Sequence, residues 1–340
     1  MLSRIEFIKR TFIVLGVALI PVLVWYLFDV ILIAVAALLV GELLWLGAEP
    51  LTRWLRLPPH LALFLSGIGI LAIVGGGFYV FGTGMTGQLQ DVIQRAQSGQ
   101  SSIVNLVRES ALGNMLMSHL RSGINLMDVL PRVFTVSVGV LGGIVAAIVA
   151  GVFFAAQPQL YLAGLIQLFP PRLHGQANET VEHVATALRL WLLGQLCQMV
   201  LIGVLTTLVV WLIGLPSPFA LGLIAGLAEF IPYLGPVIAA IPAVLVAANQ
   251  SPHTILWVIV AYTLIHQAEG HVIMPFIQRF MVFIPPAVIL LAIVAIGALF
   301  GALAIPLASP IAVMAFVLVK KLYIRDTLGE DSAIPGETEN

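Results

Sequence analysis

Charge is what this sequence has least of. Only 9% of its 340 residues are Asp, Glu, Lys or Arg, against about 25% in a soluble domain. Hydrophobic residues make up 60%. A water-soluble globular enzyme is thereby excluded. A disordered chain is excluded too, because apolar surface is abundant. The net charge is −1, so no basic face offers itself to nucleic acid. The single cysteine, Cys197, rules out an internal disulfide framework and a cysteine metal cluster. No G-x-S-x-G, H-E-x-x-H or P-loop pattern is present. Residues 196–319 contain no aspartate, which leaves nothing for a paired-Asp intramembrane protease. No enzyme activity, cofactor or metal site is expected.

What is present is a series of long apolar runs, and mean hydropathy is +1.09. The fold class this predicts is an all-α polytopic membrane protein embedded in a lipid bilayer. Thr11–Phe28 and Val30–Ala48 read as a helical hairpin with Asp29 at its tip, and His60–Thr83 as a third run. No A-x-A-like site follows the first run, so it is not read as a signal peptide. Residues 1–83 thus form an N-terminal three-span region. Residues 84–132 are polar, with apolar positions at helical spacing, and read as an extracytoplasmic amphipathic insert. It is either a solvated hairpin packed on itself or a subunit contact or gate. Residues 133–195 hold a fourth span (Val133–Ala156), with Gly139 and Gly143 at close-packing spacing, and a cytoplasmic amphipathic helix. Residues 196–319 form a transport half, opened by a fifth span that Pro216 and Pro218 end. Residues 320–340 are a polar tail.

Ten of the fifteen basic residues fall in 1–11, 49–58, 157–195 and the tail. The positive-inside rule then places both termini in the cytoplasm.

Two stretches are too long for ordinary spans. Phe219–Ala248 has 30 residues, about 45 Å as one helix against a hydrocarbon core of about 30 Å. Its centre, Glu229-Phe-Ile-Pro-Tyr-Leu-Gly-Pro236, carries two prolines that remove backbone donors and a glycine that turns freely. Pro286–Val319 repeats the situation with Gly297, Gly301, Pro306 and Pro310. Each stretch is either a re-entrant hairpin or a kinked helix, giving about six full spans plus two broken segments, or eight spans. As hairpins they would form an inverted pair, the arrangement that places a transport site between repeats.

Broken backbone at membrane depth must be covered by protein or line water. Candidate binding residues therefore centre on Glu229, Pro232, Tyr233, Gly235 and Pro236. An intramembrane carboxylate is expensive and usually functional. Glu229 lies one helical turn before Tyr233, so the two are expected to face the same way. His266 and Glu269, three apart, can hydrogen-bond and would form a proton-linked pair, with His271 beside them. The competing readings are structural: a cap or helix contact for Glu229, an interfacial solvated position for Glu269.

The run GLIAGLAEFIPYLGPVIAAIPA (222–243) closely resembles the signature of the autoinducer-2 exporter-like transporter family of bacteria and archaea. LLGQ (192–195), WLIGLP ending at Pro216, QAEGHVIMPFIQ (267–278) and GALFGALAIPLASP (297–310) are similar to further family segments. The resemblance implies a multi-pass transporter of the cytoplasmic (inner) membrane. It implies export of a small polar solute, with the quorum-sensing signal autoinducer-2 as candidate, or sodium(lithium)/proton antiport with a monovalent cation as partner. It also implies a homo-oligomer, in some members a pentamer. The family core maps onto Glu229, Pro232, Tyr233, Gly235 and Pro236. Gln195 matches the family glutamine, and Glu269, Gly270 and Pro275 match the E-G-N-x-x-x-P run. Two positions depart from the pattern and bear on substrate and coupling ion: His271 replaces the common Asn, and Arg279-Phe280 replaces Gly-Arg. A channel-like or structural assembly, with the insert doing the work, is the reading from a different class.

Overall fold

The structure is a computed structural model that describes residues 19, 25–72, 91, 93–95, 126–275, 284–330 and 334. Most of the first apolar run, residues 73–83, most of the insert, the Arg279-Phe280 departure and residues 331–333 and 335–340 of the tail lie outside the described residues. Among the described residues the chain is helical and contains no strand.

α1 (Phe28–Trp54) and α2 (Pro59–Ala72) are joined by a short turn. They are tied by the Ser66 hydroxyl, which donates to the Leu44 carbonyl at 2.7 Å. α3 (Leu126–Ala156) packs along α1, where the Trp45 indole donates to the Ala155 carbonyl at 3.1 Å. The close approach uses Gly151, at which a Cβ would meet the Ala37 carbonyl at 2.7 Å; among the described residues nothing lies within 4 Å of a Cβ at Gly143. The close packing that the spacing of Gly139 and Gly143 suits is not made at Gly143 with the described residues. At Gln157 the chain bends by 92° into α4 (Pro158–Gln167), where Pro158 sits at the first helical position it suits.

α5 (His174–Ile213) is one helix of 40 residues, about 60 Å long. The sequence analysis divides this region at 195/196, but the helix runs through without a break. Nothing there disrupts the backbone, because polarity changes between 174 and 196 while helix propensity does not. The helix ends on Gly214, whose φ of 80° takes the left-handed conformation of a C-terminal cap. Pro216 and Pro218 follow that stop rather than cause it.

α6 (Pro218–Ala228) and α7 (Gly235–Ala247) then fold back on one another, joined by the turn 229–234. Gln250, just past α7, donates its side-chain amide to the Gly214 carbonyl at 3.3 Å. Both ends of the segment thus meet at one place. The broken stretch is a hairpin, with arms of about 16 and 20 Å. α6 lies against α5 through glycine. A Cβ at Gly226 would meet the Met199 carbonyl at 2.7 Å and Gly203 Cα at 3.2 Å. Asp91, from the insert, accepts from Ser217 at 3.2 Å at the base of this hairpin.

α8 (Pro252–Ala268) starts at that base, its N-terminus capped by Ser251. It continues into a π-helical turn, Glu269–Ile273. α9 (Pro286–Phe300) and α10 (Ala308–Leu318) form the second hairpin around Gly301 (φ 87°) and a 3-10 turn, Ala302–Leu307. Ile293 and Ile296 pack with Ala304, Ala308 and Phe28 near its tip, while Val288 and Ile289 pack with Val313 and Val317 near its base. The second arm is longer than the first, because Ala302–Arg325 is by itself long and apolar enough to cross a membrane.

The long helices Phe28–Trp54, Pro171–Ile213 and Ala302–Arg325, together with the bent and shorter apolar helices, make this an all-α polytopic membrane protein. Three ion pairs mark one end of the bundle. Arg189 of α5 pairs with Glu49 of α1. Lys321 pairs with Glu179 at 3.0 Å and with Asp326 at 3.1 Å. The first hairpin points toward this end from the far end of α5. The second points away from it, toward Phe28. The two broken segments are thus inverted relative to each other.

Candidate functional site

The tip of the first hairpin sits against the middle of α5. By helical rise, Gln198 lies about 14 Å from Arg189 and about 22 Å from Ile213. That is membrane depth, and four polar side chains from three elements meet there.

Glu229 caps the C-terminal end of α6 and is 1% exposed. One of its carboxylate oxygens, Oε1, accepts from Gln198 Nε2 at 3.3 Å. The other, Oε2, is buried with no hydrogen-bond partner among the described residues. Glu269 comes from α8's π-helical turn and is also buried. Its Oε1 accepts from the same Gln198 amide, and its Oε2 lies 2.8 Å from His266 Nδ1. Glu229, His266 and Glu269 offer ligand-type atoms that all lie within 4.8 Å of one another. A π-helical turn rotates the side chains that follow it relative to a regular helix, and such turns recur at functional sites. Here it supplies the position from which Glu269 joins the cluster.

Two carboxylates and an imidazole at this depth form an electrostatic problem with few solutions. With both carboxylates ionised and the imidazole neutral, the site carries two uncompensated negative charges in a low dielectric. Only protons or a bound cation neutralise it.

Gln195, predicted as a binding residue, is buried, and its Nε2 donates to the Glu229 backbone carbonyl at 2.6 Å. It therefore holds the hairpin tip against α5. Pro232 is buried in the turn and Pro236 lies in the first turn of α7. Gly235 is obligatory, because a Cβ there would run into the Ala228 carbonyl. Tyr233 has φ of 66° and is 37% exposed. The helix ends at Ala228, so the one-turn relation that would align Tyr233 with Glu229 does not apply. His266 and Glu269 make the predicted hydrogen bond. His271 is exposed and its Nδ1 is engaged by the Gln267 carbonyl at 3.0 Å, so it stands apart from the cluster.

Gln198 is the residue that sequence reasoning misses. The available signal was its position one helical turn after Gln195 on an otherwise apolar helix, which puts two amides on one buried stripe.

The sequence matches the profile described as AI-2E family transporter over residues 12–324. The chain belongs to the AI-2E family of transporters. It is 34% identical over 159 residues to "Putative transport protein YrrI" of Bacillus subtilis (strain 168), covering 46% of this chain and 45% of that protein. It is 28% identical over 178 residues to "Putative transport protein YueF" of the same organism, covering 51% of this chain and 48% of that protein. The chain thus spans about half the length of the curated relatives it matches. An AI-2E transporter is a multi-pass membrane protein, and the inverted hairpins with the carboxylate cluster at mid-depth are where this member departs from a plain helical bundle.

Proposed function

We propose that this AI-2E family member is a secondary transporter that exports a small polar solute, with autoinducer-2 as the candidate, across the bacterial or archaeal cytoplasmic membrane. The observation that carries this reading is the buried carboxylate Glu229 at the hairpin tip, with one oxygen unpartnered and Glu269 and His266 beside it. In this reading the Glu269–His266 pair takes up and releases the coupling proton. Tyr233, on the exposed side of the tip, offers its ring and hydroxyl to solute. Gln195 and Gly235 keep the tip in place. In this reading both termini lie in the cytoplasm, which the positive-inside rule supports, because ten of the fifteen basic residues fall in 1–11, 49–58, 157–195 and the tail. A homo-oligomer, and no enzymatic activity, belong to the same reading.

A second reading is monovalent cation/proton antiport, favoured by the convergence of two carboxylates and an imidazole. One experiment separates the two. Proton flux is followed in proteoliposomes under an imposed sodium gradient, then with autoinducer-2 added, for wild type and Glu229→Gln. Solute-dependent flux supports export. Sodium-driven proton flux abolished by Glu229→Gln supports antiport. No gradient-dependent flux of any kind sinks both.

A further inference from the structure

We propose that Glu229, His266 and Glu269 form a binding site for one divalent d-block cation of the zinc type, bound in exchange for a proton. The proposal rests on the transport reading only in taking the hairpin tip as reachable from solution. The sequence expectation was that no metal site exists. It had no way to join residues 37 and 40 positions apart into one ligand set.

Three features of the cluster point to a metal. The first is convergence: one atom from each residue lies within a 4.8 Å sphere of mutual separations. Ligand atoms at about 2.0–2.2 Å from a tetrahedral zinc ion sit roughly 3.3–3.6 Å apart. Closure of the widest separation by about 1 Å, within reach of side-chain rotation, therefore completes the site. The second is the unpartnered Glu229 Oε2 on a side chain that is 1% exposed. A buried carboxylate oxygen without a donor is costly, and a cation supplies the missing partner. The third is the donor set itself. Imidazole with carboxylates suits zinc and its neighbours, whereas magnesium and calcium require six or more oxygens. Sodium, a hard cation, gains nothing from His266.

Gln198 completes the argument. Without metal its amide nitrogen faces both carboxylates. Rotating the amide by half a turn would present its oxygen instead, as a fourth ligand. Entry is from the His266 side, because that side chain is 22% exposed whereas Glu229 is sealed. The balance of the exchange is simple. With the His266–Glu269 pair holding two protons, one on Nε2 and one shared between Nδ1 and the Glu269 carboxylate, the shared proton leaves to water, the Nε2 proton stays, and the neutral Nδ1 and the carboxylate oxygen bind the cation. No electron is transferred.

The test uses the purified full-length chain in detergent, stripped with a chelator and titrated with cobalt(II), whose visible d–d bands report its coordination. Expected are one saturable equivalent per chain, release of at least one proton to a pH dye, and bleaching on addition of zinc. A large molar excess of sodium should not displace the cobalt. Glu229→Gln and His266→Gln keep polarity and approximate volume, and each should weaken binding by at least about tenfold. His253→Ala, at an exposed histidine on the hairpin base, should leave binding unchanged. Thermal melts establish that each variant is folded. Absence of saturable binding in wild type overturns the proposal, as does binding unaltered in both folded cluster variants. Gradient-driven solute flux without cobalt binding leaves the transport reading standing and removes this one. Cobalt binding without any flux does the reverse.

Discussion

Glu229 and Glu269 lie forty residues apart in sequence and share a single donor, the side-chain amide of Gln198. One neutral group thus holds two acids from different elements, the tip of a hairpin and the end of the next helix. Hydrogen bonds to charged acceptors contribute about 1.5–3 kcal/mol each. Gln198→Leu removes both and leaves the carboxylates facing each other. We expect it to destabilise the protein by about 2–4 kcal/mol and to abolish proton-coupled flux. Gln198→Asn, whose amide is one methylene short, should retain the fold and lose most of the flux. Thermal melting and a proteoliposome assay check both. A folded, fully active Gln198→Leu protein would remove the cluster from the mechanism.

Gly235 supplies a sharper structural test. A methyl group at this position would collide with the Ala228 carbonyl, and backbone cannot yield as a flexible side chain can. Gly235→Ala should therefore force the turn open, costing roughly 3 kcal/mol or more. Because Gly235 N–H donates to the Ile231 carbonyl at 2.8 Å, opening the turn also loses that bond. Gly143→Ala, with nothing among the described residues within 4 Å of the added Cβ, should be neutral or slightly stabilising through helix propensity. The pair is compared by denaturation in the same detergent, and equal effects would contradict the packing described.

Tyr233 sits at φ 66°, a conformation that costs a non-glycine residue about 1–2 kcal/mol. Strain of this kind persists where the surroundings over-determine it, and it often coincides with function. Tyr233→Gly should stabilise the fold by about 1 kcal/mol while reducing solute flux. Tyr233→Phe keeps the strain and the ring and should leave stability unchanged. If Tyr233→Gly proves both more stable and fully active, the strained tyrosine has no part in transport.

Much of this was legible in the sequence. Pro232, Gly235 and Pro236 announced the break inside 219–248, and the i, i+3 spacing of His266 and Glu269 announced their hydrogen bond. Two things were hidden. The length of α5 was hidden because a change from polar to apolar residues near 195 looks like a boundary, although the backbone has no reason to break there. The cluster was hidden because it depends on tertiary contact: Glu229 reaches Glu269 only when the hairpin folds back along α5, and no local spacing encodes that. The role of Gln198 followed from the same contact.

At the ion-paired end, Asp326 accepts from Gln176 at 2.7 Å and from Lys321 at 3.1 Å. Burial pushes its carboxyl up, but these bonds and the charges of Lys321 and Arg325 outweigh that and hold it below its usual range. The folded-state value lies below the unfolded one. The stabilisation is therefore complete above the unfolded aspartate range and is lost as pH falls through the folded value. Asp326→Asn should cost less than about 1 kcal/mol at neutral pH, given solvent screening. It should also flatten the loss of stability in acid. Melting curves from neutral to acidic pH test this, and parallel curves for variant and wild type would contradict it.

The hairpin itself yields the most discriminating prediction. Gln250 donates to the Gly214 carbonyl, so residues on either side of the 218–247 segment open onto one face of the membrane. A single kinked span would put them on opposite faces. Cys197 is exposed and is first replaced by serine. Single cysteines are then introduced as Pro216→Cys, Gln250→Cys and Arg53→Cys. A membrane-impermeant thiol reagent is added from outside intact cells, and then to inverted vesicles. Pro216→Cys and Gln250→Cys should label from the same side, and Arg53→Cys, next to the Glu49–Arg189 pair, from the other. If Pro216→Cys and Gln250→Cys label from opposite sides, the segment crosses the membrane once. Glu229 could then not be held at mid-depth by a folded-back tip, and the site built around it would have to be abandoned.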